Sequence, residues 1–373
     1  MIELTDERIR KYLTPFRCPR PVLHGSGEDG AFDQMAVDIP FVFMHNGLFH
    51  MLYTGFDGKG YQSALAVSRD LLHWIHKGVI LKRHMDSGRW DRIGGAATWM
   101  IKESDSLWNV PRLRKVDDRY WLVYHSYPGT GYESGPAEIG LAWCEDEELL
   151  DWHFPEKPVF SWKDGEEWEA GGLYKACIIE NQGTWYMFYN AKDKEERWTE
   201  QTGMAFSEDL VHWTRCTDNP VLRVDRTAWD ERFVSDPCIV KDGSLWVNYY
   251  FGYGKIYEDG HTHAQEGLAL STDLIRWEKV REPILPYGAP GSIDSGHAHK
   301  ASVVYYEGVL YHFYCATRPW TEGDPTQLTA NTAPSAWPRA NRSGRKRRDD
   351  SIWNDWMHCC GEKPPAIYSL FSG

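Results

Sequence analysis

Hydrophobic and polar positions alternate with a period of two along most of this chain. The alternating stretches come in pairs around short turns, as in FVFMHNGLFHMLYT (41–54), LRKVDDRYWLVYHS (113–126), CIIENQGTWYMFYN (177–190), CIVKDGSLWVNYYF (238–251) and SVVYYEGVLYHFYCAT (302–317). Period-two alternation places successive side chains on opposite faces of a strand. Asn-Gly, Asp-Gly and Glu-Gly at the turns supply the positive φ that tight hairpins require. Each pair therefore predicts a β-hairpin. A third strand of small and apolar residues follows the first four: SALAVS (63–68), IGLAWC (139–144), TGMAFS (202–207) and EGLALS (266–271).

After each third strand the chain repeats a phrase: SRDLLHW (68–74), the looser DEELLDW (146–152), SEDLVHW (207–213) and STDLIRW (271–277). Its tryptophans, Trp74, Trp152, Trp213 and Trp277, recur at intervals of 78, 61 and 64 residues. The acidic residue is expected to close a turn on backbone N–H groups, and the tryptophan to pack between repeats. The phrase turns the chain into a fourth strand. Four short antiparallel strands, repeated five times, predict an all-β, five-bladed β-propeller rather than a sandwich or barrel. The blades fall near 34–84, 85–160, 161–222, 223–286 and 287–320. A partly helical arm over 1–33, with a helix in TDERIRKYL (5–13), precedes them. An irregular tail, rich in turn formers and charge, occupies 321–373. The fifth hairpin lacks a readable third and fourth strand, so either its blade ends irregularly or an N-terminal strand completes it.

Composition narrows the function. The 373 residues are 42% apolar and 14% aromatic, ample for a packed core, and carry a formal charge of −13. That charge argues against nucleic acid, whose phosphates need a basic footprint, and RKRR (345–348) is too local to reverse it. No apolar run is long enough to span a membrane, and MIELTDERIRKYLTPF lacks the apolar segment of an export signal. A cytoplasmic protein is expected. The eight cysteines form no CxxC pair and read as reduced, buried thiols.

The repeated SxDLxxW blade resembles the five-bladed propeller glycoside hydrolases, families 43, 32, 68, 62, 117 and 130 among them, over residues 34–320. In these enzymes the innermost strand of each blade lines a funnel where carboxylates meet. Counting back from the hairpin glycine, Asp38 stands nine residues before Gly47 and Asp236 seven before Gly243. A difference of two would aim both side chains the same way. Blade two offers Asn109. Blade three offers Tyr174 or Lys175, with Glu169 upstream, and blade five offers His297, His299 and Lys300. An acidic residue follows an apolar one upstream of four blades, at Trp90-Asp91, Trp168-Glu169, Trp229-Asp230 and Ile293-Asp294, which weighs Glu169 equally as a structural acid.

The resemblance implies that Asp38 is the base or nucleophile and that Asp236 orients the sugar. The usual glutamate acid of EGP or EC motifs is absent. GHAHK (296–300) looks more like family 117, in which a histidine takes that role, so His297 or His299 is the expected acid, with Glu169 and Glu138 in reserve. The alternative role for His299, from family 43, is to help hold a divalent cation in the channel; no other cofactor is implied. Trp108, Tyr174 and Tyr253 are candidates to stack on a sugar. The implied activity is an exo-acting glycosidase on an oligosaccharide. The alternatives are a binding propeller without catalysis, or a phosphorylase that uses Lys175 and Lys300 for phosphate. Family 117 also implies a homodimer.

Overall fold

A computed structural model describes residues 4–319 and, in backbone, 353–360. Among these the chain is nearly all β. One short helix, Asp6–Arg10, is N-capped by Thr5, and no helix is long and apolar enough to cross a membrane.

The strands are β1 (Leu23–His24), β2 (Ala36–His45), β3 (Leu48–Phe56), β4 (Tyr61–Ser68), β5 (Ile75–Leu81), β6 (Ala96–Met100), β7 (Tyr120–Ser126), β8 (Glu138–Cys144), β9 (Gly172–Asn181) and β10 (Thr184–Lys192). They continue with β11 (Glu200–Ser207), β12 (Thr214–Arg215), β13 (Phe233–Asp242), β14 (Leu245–Tyr253), β15 (Gln265–Ser271), β16 (Glu278–Lys279), β17 (His297–Tyr306), β18 (Val309–Pro319) and β19 (Trp353–Cys360). Antiparallel pairing groups them as β2–β5, β6–β8, β9–β12, β13–β16, and β17, β18, β19 and β1. The third and fourth groups touch through a single parallel bridge, Glu200 to Phe233. The first strands pack in sequence, β2 on β6, β6 on β9, β9 on β13, β13 on β17 and β17 on β2, and so close a ring.

Two expectations change here. The first arm of the second hairpin is β6, not 113–116: β7 pairs with Ala96–Met100, and residues 101–119 form a long excursion between the two strands. The alternation in LRKVDD belongs to that excursion, where Val116 and Arg119 make only an isolated bridge. The tail is not irregular throughout, because Trp353–Cys360 pairs along β18, and Leu23 and His24 pair with Met357 and Trp356. The last sheet is thus completed from both chain ends. Strands whose partners lie hundreds of residues away leave no local hairpin signal. Residues 321–352 and 361–373 of the expected tail lie outside the described residues.

The repeated phrase is a turn. Leu71, Leu149, Leu210 and Leu274 adopt positive φ and are buried. Asp70, Asp209 and Asp273 each accept two backbone N–H bonds, while the tryptophan indoles donate to the leucine carbonyls at 2.7–3.1 Å. These bonds stabilise a backbone conformation that leucine ordinarily avoids. Trp74 meets Phe313, and Trp277 meets Phe188, edge-on across neighbouring sheets.

A second repeat ties the sheets together. The buried Tyr124, Tyr189, Tyr250 and Tyr314 donate to Asp91, Glu169, Asp230 and Asp294. Each acid also binds a cation: Arg89, Arg215, Lys279 and, from the N-terminal arm, Arg17. Burying a carboxylate is tolerable only when it is paired and hydrogen-bonded, and here each one is. The arm also packs beyond Arg17. Tyr12 is fully buried and donates to Asp242 at 2.7 Å, and Tyr249 donates to its carbonyl. Asp242 ends β13 at its hairpin turn, so the arm braces the tail ends of the first strands.

Candidate active site

All five first strands break register near their heads, so the regular pleat is interrupted at one level of the ring. In four of them two residues oppose one: Ile39-Pro40, Lys175-Ala176, Asp236-Pro237 and Lys300-Ala301 oppose Tyr53, Tyr189, Tyr250 and Tyr314. Ile39, Asp236 and Lys300 have φ of 52°, 55° and 67°. Positive φ is strained for non-glycine residues, most of all for a β-branched isoleucine, and bulges of this kind re-aim side chains at functional sites.

This register corrects the count from the hairpin glycines. β2 turns through Asn46-Gly47, with glycine second, whereas β13 turns through Gly243-Ser244, with glycine first. Asp38 is therefore equivalent to Tyr174, Ser235 and His299, while Asp236 is equivalent to Ile39, Lys175 and Lys300. The two aspartates stand one place apart in the bulge, not on one pleat face. They still share a site, because Lys300, on the strand between theirs in the ring, acts electrostatically on both.

Their surroundings differ. Asp38 is 4% exposed. Its Oδ2 accepts from Lys300 Nζ, and its Oδ1 accepts from Cys315 Sγ at 2.7 Å and from Ile39 N at 2.8 Å. Burial pushes its pKa up, but the Lys300 ammonium and the Cys315 hydrogen bond outweigh burial and hold it below the usual carboxylate range. Asp236 is 3% exposed, and its Oδ2 has no hydrogen-bond partner. Burial dominates here, with Glu200 and Asp38 adding to it against Lys175 and Lys300, and lifts its pKa to about 6.

The histidines do not suit the role of acid. His297 Nδ1 accepts from Ala264 N at 3.0 Å, whereas His299 Nδ1 faces the carbonyl of Cys315 at 3.2 Å. A carbonyl only accepts, so His299 carries its proton on Nδ1 and presents Nε2 as an acceptor. Burial, followed by the neighbouring His263 and Lys300, pushes His297 down to about 3, and burial followed by Lys300 pushes His299 well below its ordinary value. Both are neutral imidazoles at pH 7 and shape the wall. Among the described residues no group of three or more His, Cys, Asp or Glu could hold a metal ion.

Other expected residues sort as follows. Glu169 is fully buried in the tyrosine–acid–cation belt and has no free face for substrate. Glu138 is bound by Ser161 and Lys163. Trp108 donates to Asp242 at 2.8 Å, and the exposed Asn109 bonds Ser104, both at the tail end of the ring. Both are expected in the funnel only if SLWNVPRLRKVDD (106–118) is an inner strand, and the inner strand is Ala96–Met100 instead. Tyr174 and Lys175 are at the heads: Tyr174 is 5% exposed and lies under Lys192, and Lys175 Nζ reaches the Asp236 carbonyl at 3.4 Å. Tyr253 is half-buried, facing Phe233 and His297.

Second and third strands supply site residues that inner-strand counting missed. Thr54, His125, Asn190, Phe251 and Cys315 each follow the tyrosine that closes a bulge or belt. His125 Nδ1 accepts from Lys175 N at 3.3 Å, and burial pushes its pKa down to about 3. Asn190 and Ser235 bond Glu200 Oε2 at 3.1 and 3.0 Å. Glu266, in register with Phe251, is fully buried with neither carboxylate oxygen bonded, and burial lifts its pKa to about 8. Asp236 Oδ2, Asn190 Oδ1 and both Glu266 oxygens are thus unsatisfied around the head of β13. Buried polar atoms in native proteins are rarely without partners, and such a cluster points to a bound polar molecule.

The fold is shared with solved structures of glycoside hydrolases. Two solved structures, a BT0996 RGII complex and a glycoside hydrolase, superpose with a TM-score of 0.74 each. They are 24% and 23% identical and cover 99% of this chain, and 98% and 99% of theirs. No protein-family model matches the chain. A 1,2-beta-oligomannan phosphorylase of Thermoanaerobacter sp. (strain X514) is 30% identical over 129 residues, covering 33% of this chain and 42% of that enzyme. The match thus spans less than half of that relative.

Proposed function

We propose that the protein is a five-bladed propeller enzyme that cleaves a glycosidic bond at the end of an oligosaccharide. One observation carries the reading. A buried carboxyl with one oxygen unpartnered and a pKa near 6, Asp236, shares the ring head with a carboxylate held low, Asp38. Glycoside cleavage needs such a pair, with pKa values driven apart by environment. Asp236 protonates the leaving oxygen, and Asp38 serves as base or nucleophile on the sugar. Two ionisation states from one residue type follow from position: Asp38 has Lys300, Cys315 and a backbone N–H, and Asp236 has none of these on its side chain. The acid role therefore passes from His297 and His299 to Asp236.

Phosphorolysis is the second reading, favoured by the equivalent placement of Lys175 and Lys300 and by the phosphorylase relative. Both readings use the same carboxylates and differ in the acceptor, water or phosphate. The test is a release assay over aryl glycosides and oligosaccharides, β-1,2-linked mannosides and RGII fragments included, with and without phosphate. Free sugar indicates hydrolysis, and sugar 1-phosphate that requires added phosphate indicates phosphorolysis. Full activity in Asp236→Asn on every cleaved substrate would remove the proposed acid.

A further inference from the structure

We infer that the Cys315 thiol is a positioning residue that keeps Asp38 ionised and aimed; this rests on the catalytic reading of Asp38 given above. Cys315 is fully buried on β18, at the place following the belt tyrosine Tyr314. Its Sγ donates to Asp38 Oδ1 at 2.7 Å across the junction between the last and first sheets. The same sulfur accepts from Ile39 N at 3.3 Å, a backbone group that also bonds Asp38 Oδ1. The thiol therefore closes a small triangle around the bulge, fixing the carboxylate and the strained Ile39 together. Its carbonyl at the same time orients His299.

The chemistry favours a donor at this point. Asp38 is almost entirely removed from water, and each hydrogen bond to its charged form lowers its pKa. Lys300 occupies one oxygen, and without a donor from Cys315 the other keeps only the N–H of Ile39. The thiol is small enough to fit between two sheets, and its own proton is retained because a carboxylate is the far weaker base. The equivalent side chains of other sheets also reach outward: His125 accepts from Lys175 of the next sheet, and Asn190 binds the glutamate that Ser235 of the next sheet also binds. Cys315 performs that linking between the last sheet and the first.

Two measurements test this. In infrared spectra, the S–H stretch that disappears in Cys315→Ser should lie at the lowered frequency of a strongly donating thiol, and Asp38→Asn should move it back toward the free value. In kcat/KM against pH, Cys315→Ala should raise the acid limb by about one pH unit, and Cys315→Ser, which retains a donor, should restore it. A free-thiol band in the wild type, or coincident acid limbs for wild type and Cys315→Ala, would overturn the inference. Absence of turnover on any glycoside would remove the catalytic reading, and the infrared response to Asp38→Asn would still decide whether the thiol binds that carboxylate.

Discussion

The heads of β2 and β13 hold the same residue type one place apart in equivalent bulges, and the pKa values of the two aspartates shift in opposite directions. Asp38 has an ammonium, a thiol and an amide on its carboxylate, whereas the Asp236 side chain has no partner on Oδ2. Burial is nearly the same, 4% and 3% exposed, so burial cannot be what separates them. Partners decide which carboxyl is held low and which is lifted.

The largest effect expected from breaking this comparison is loss of both carboxylates' chemistry. Asp38→Asn and Asp236→Asn should each lower kcat/KM by roughly 10³-fold on the best substrate, with folding unchanged by circular dichroism. Removing only the counter-ion, in Lys300→Met, should make Asp38 resemble Asp236. Its pKa rises, the acid limb of the rate profile moves up, and kcat/KM at pH 7 falls by about 10–100-fold.

The native profile follows from the signs. In the proposed reaction Asp38 has to be ionised and is held low, while Asp236 has to be protonated and is lifted to about 6. kcat/KM should form a bell whose alkaline limb falls near pH 6 in the free enzyme; a rate still rising through pH 8 would contradict the assignment of the acid.

A third buried carboxyl extends the contrast to stability. Glu266 has no bonded oxygen and a pKa near 8 in the fold, above its unfolded value. A carboxyl raised on folding binds its proton more tightly in the native state, so its contribution is intact below the unfolded pKa and is lost as pH climbs toward 8. Glu266→Gln should therefore raise Tm relative to wild type at pH 8 and have little effect at pH 5, which paired thermal melts will show. The smallest expected change in activity is that of Glu169→Gln. It should lose about 1–3 kcal/mol of stability through the weakened Tyr189 and Arg215 bonds, yet turn over substrate normally.

Much of the fold was legible because its signals are local. Period-two alternation and turn glycines mark four of the five hairpins correctly, and the SxDLxxW turns hold themselves together within a few residues. The apolar–acid repeat before four of the five inner strands was readable too, but the sequence weighs Glu169 evenly as structural or catalytic, and only the belt of Tyr189 and Arg215 around it decides for structure. Asp38, Lys175, Asp236, His299 and Lys300 were found as inner-strand residues because that alternation continues to the strand head.

What failed depended on contacts no local pattern encodes. The glycine count slipped because a two-residue turn places glycine first or second, and one residue reverses the face of a strand. Asn109 and Trp108 were assigned to the funnel because an excursion alternates like a strand. The final sheet draws strands from both chain ends, and Glu200, Glu266, His125 and Cys315 arrive from second and third strands. The sequence by itself determined the repeating β architecture and the aspartates at its inner heads, through periodicity and turn chemistry. Only the tertiary structure decided their charges, since a carboxyl's pKa is set by which donors and cations other sheets bring within a few ångströms.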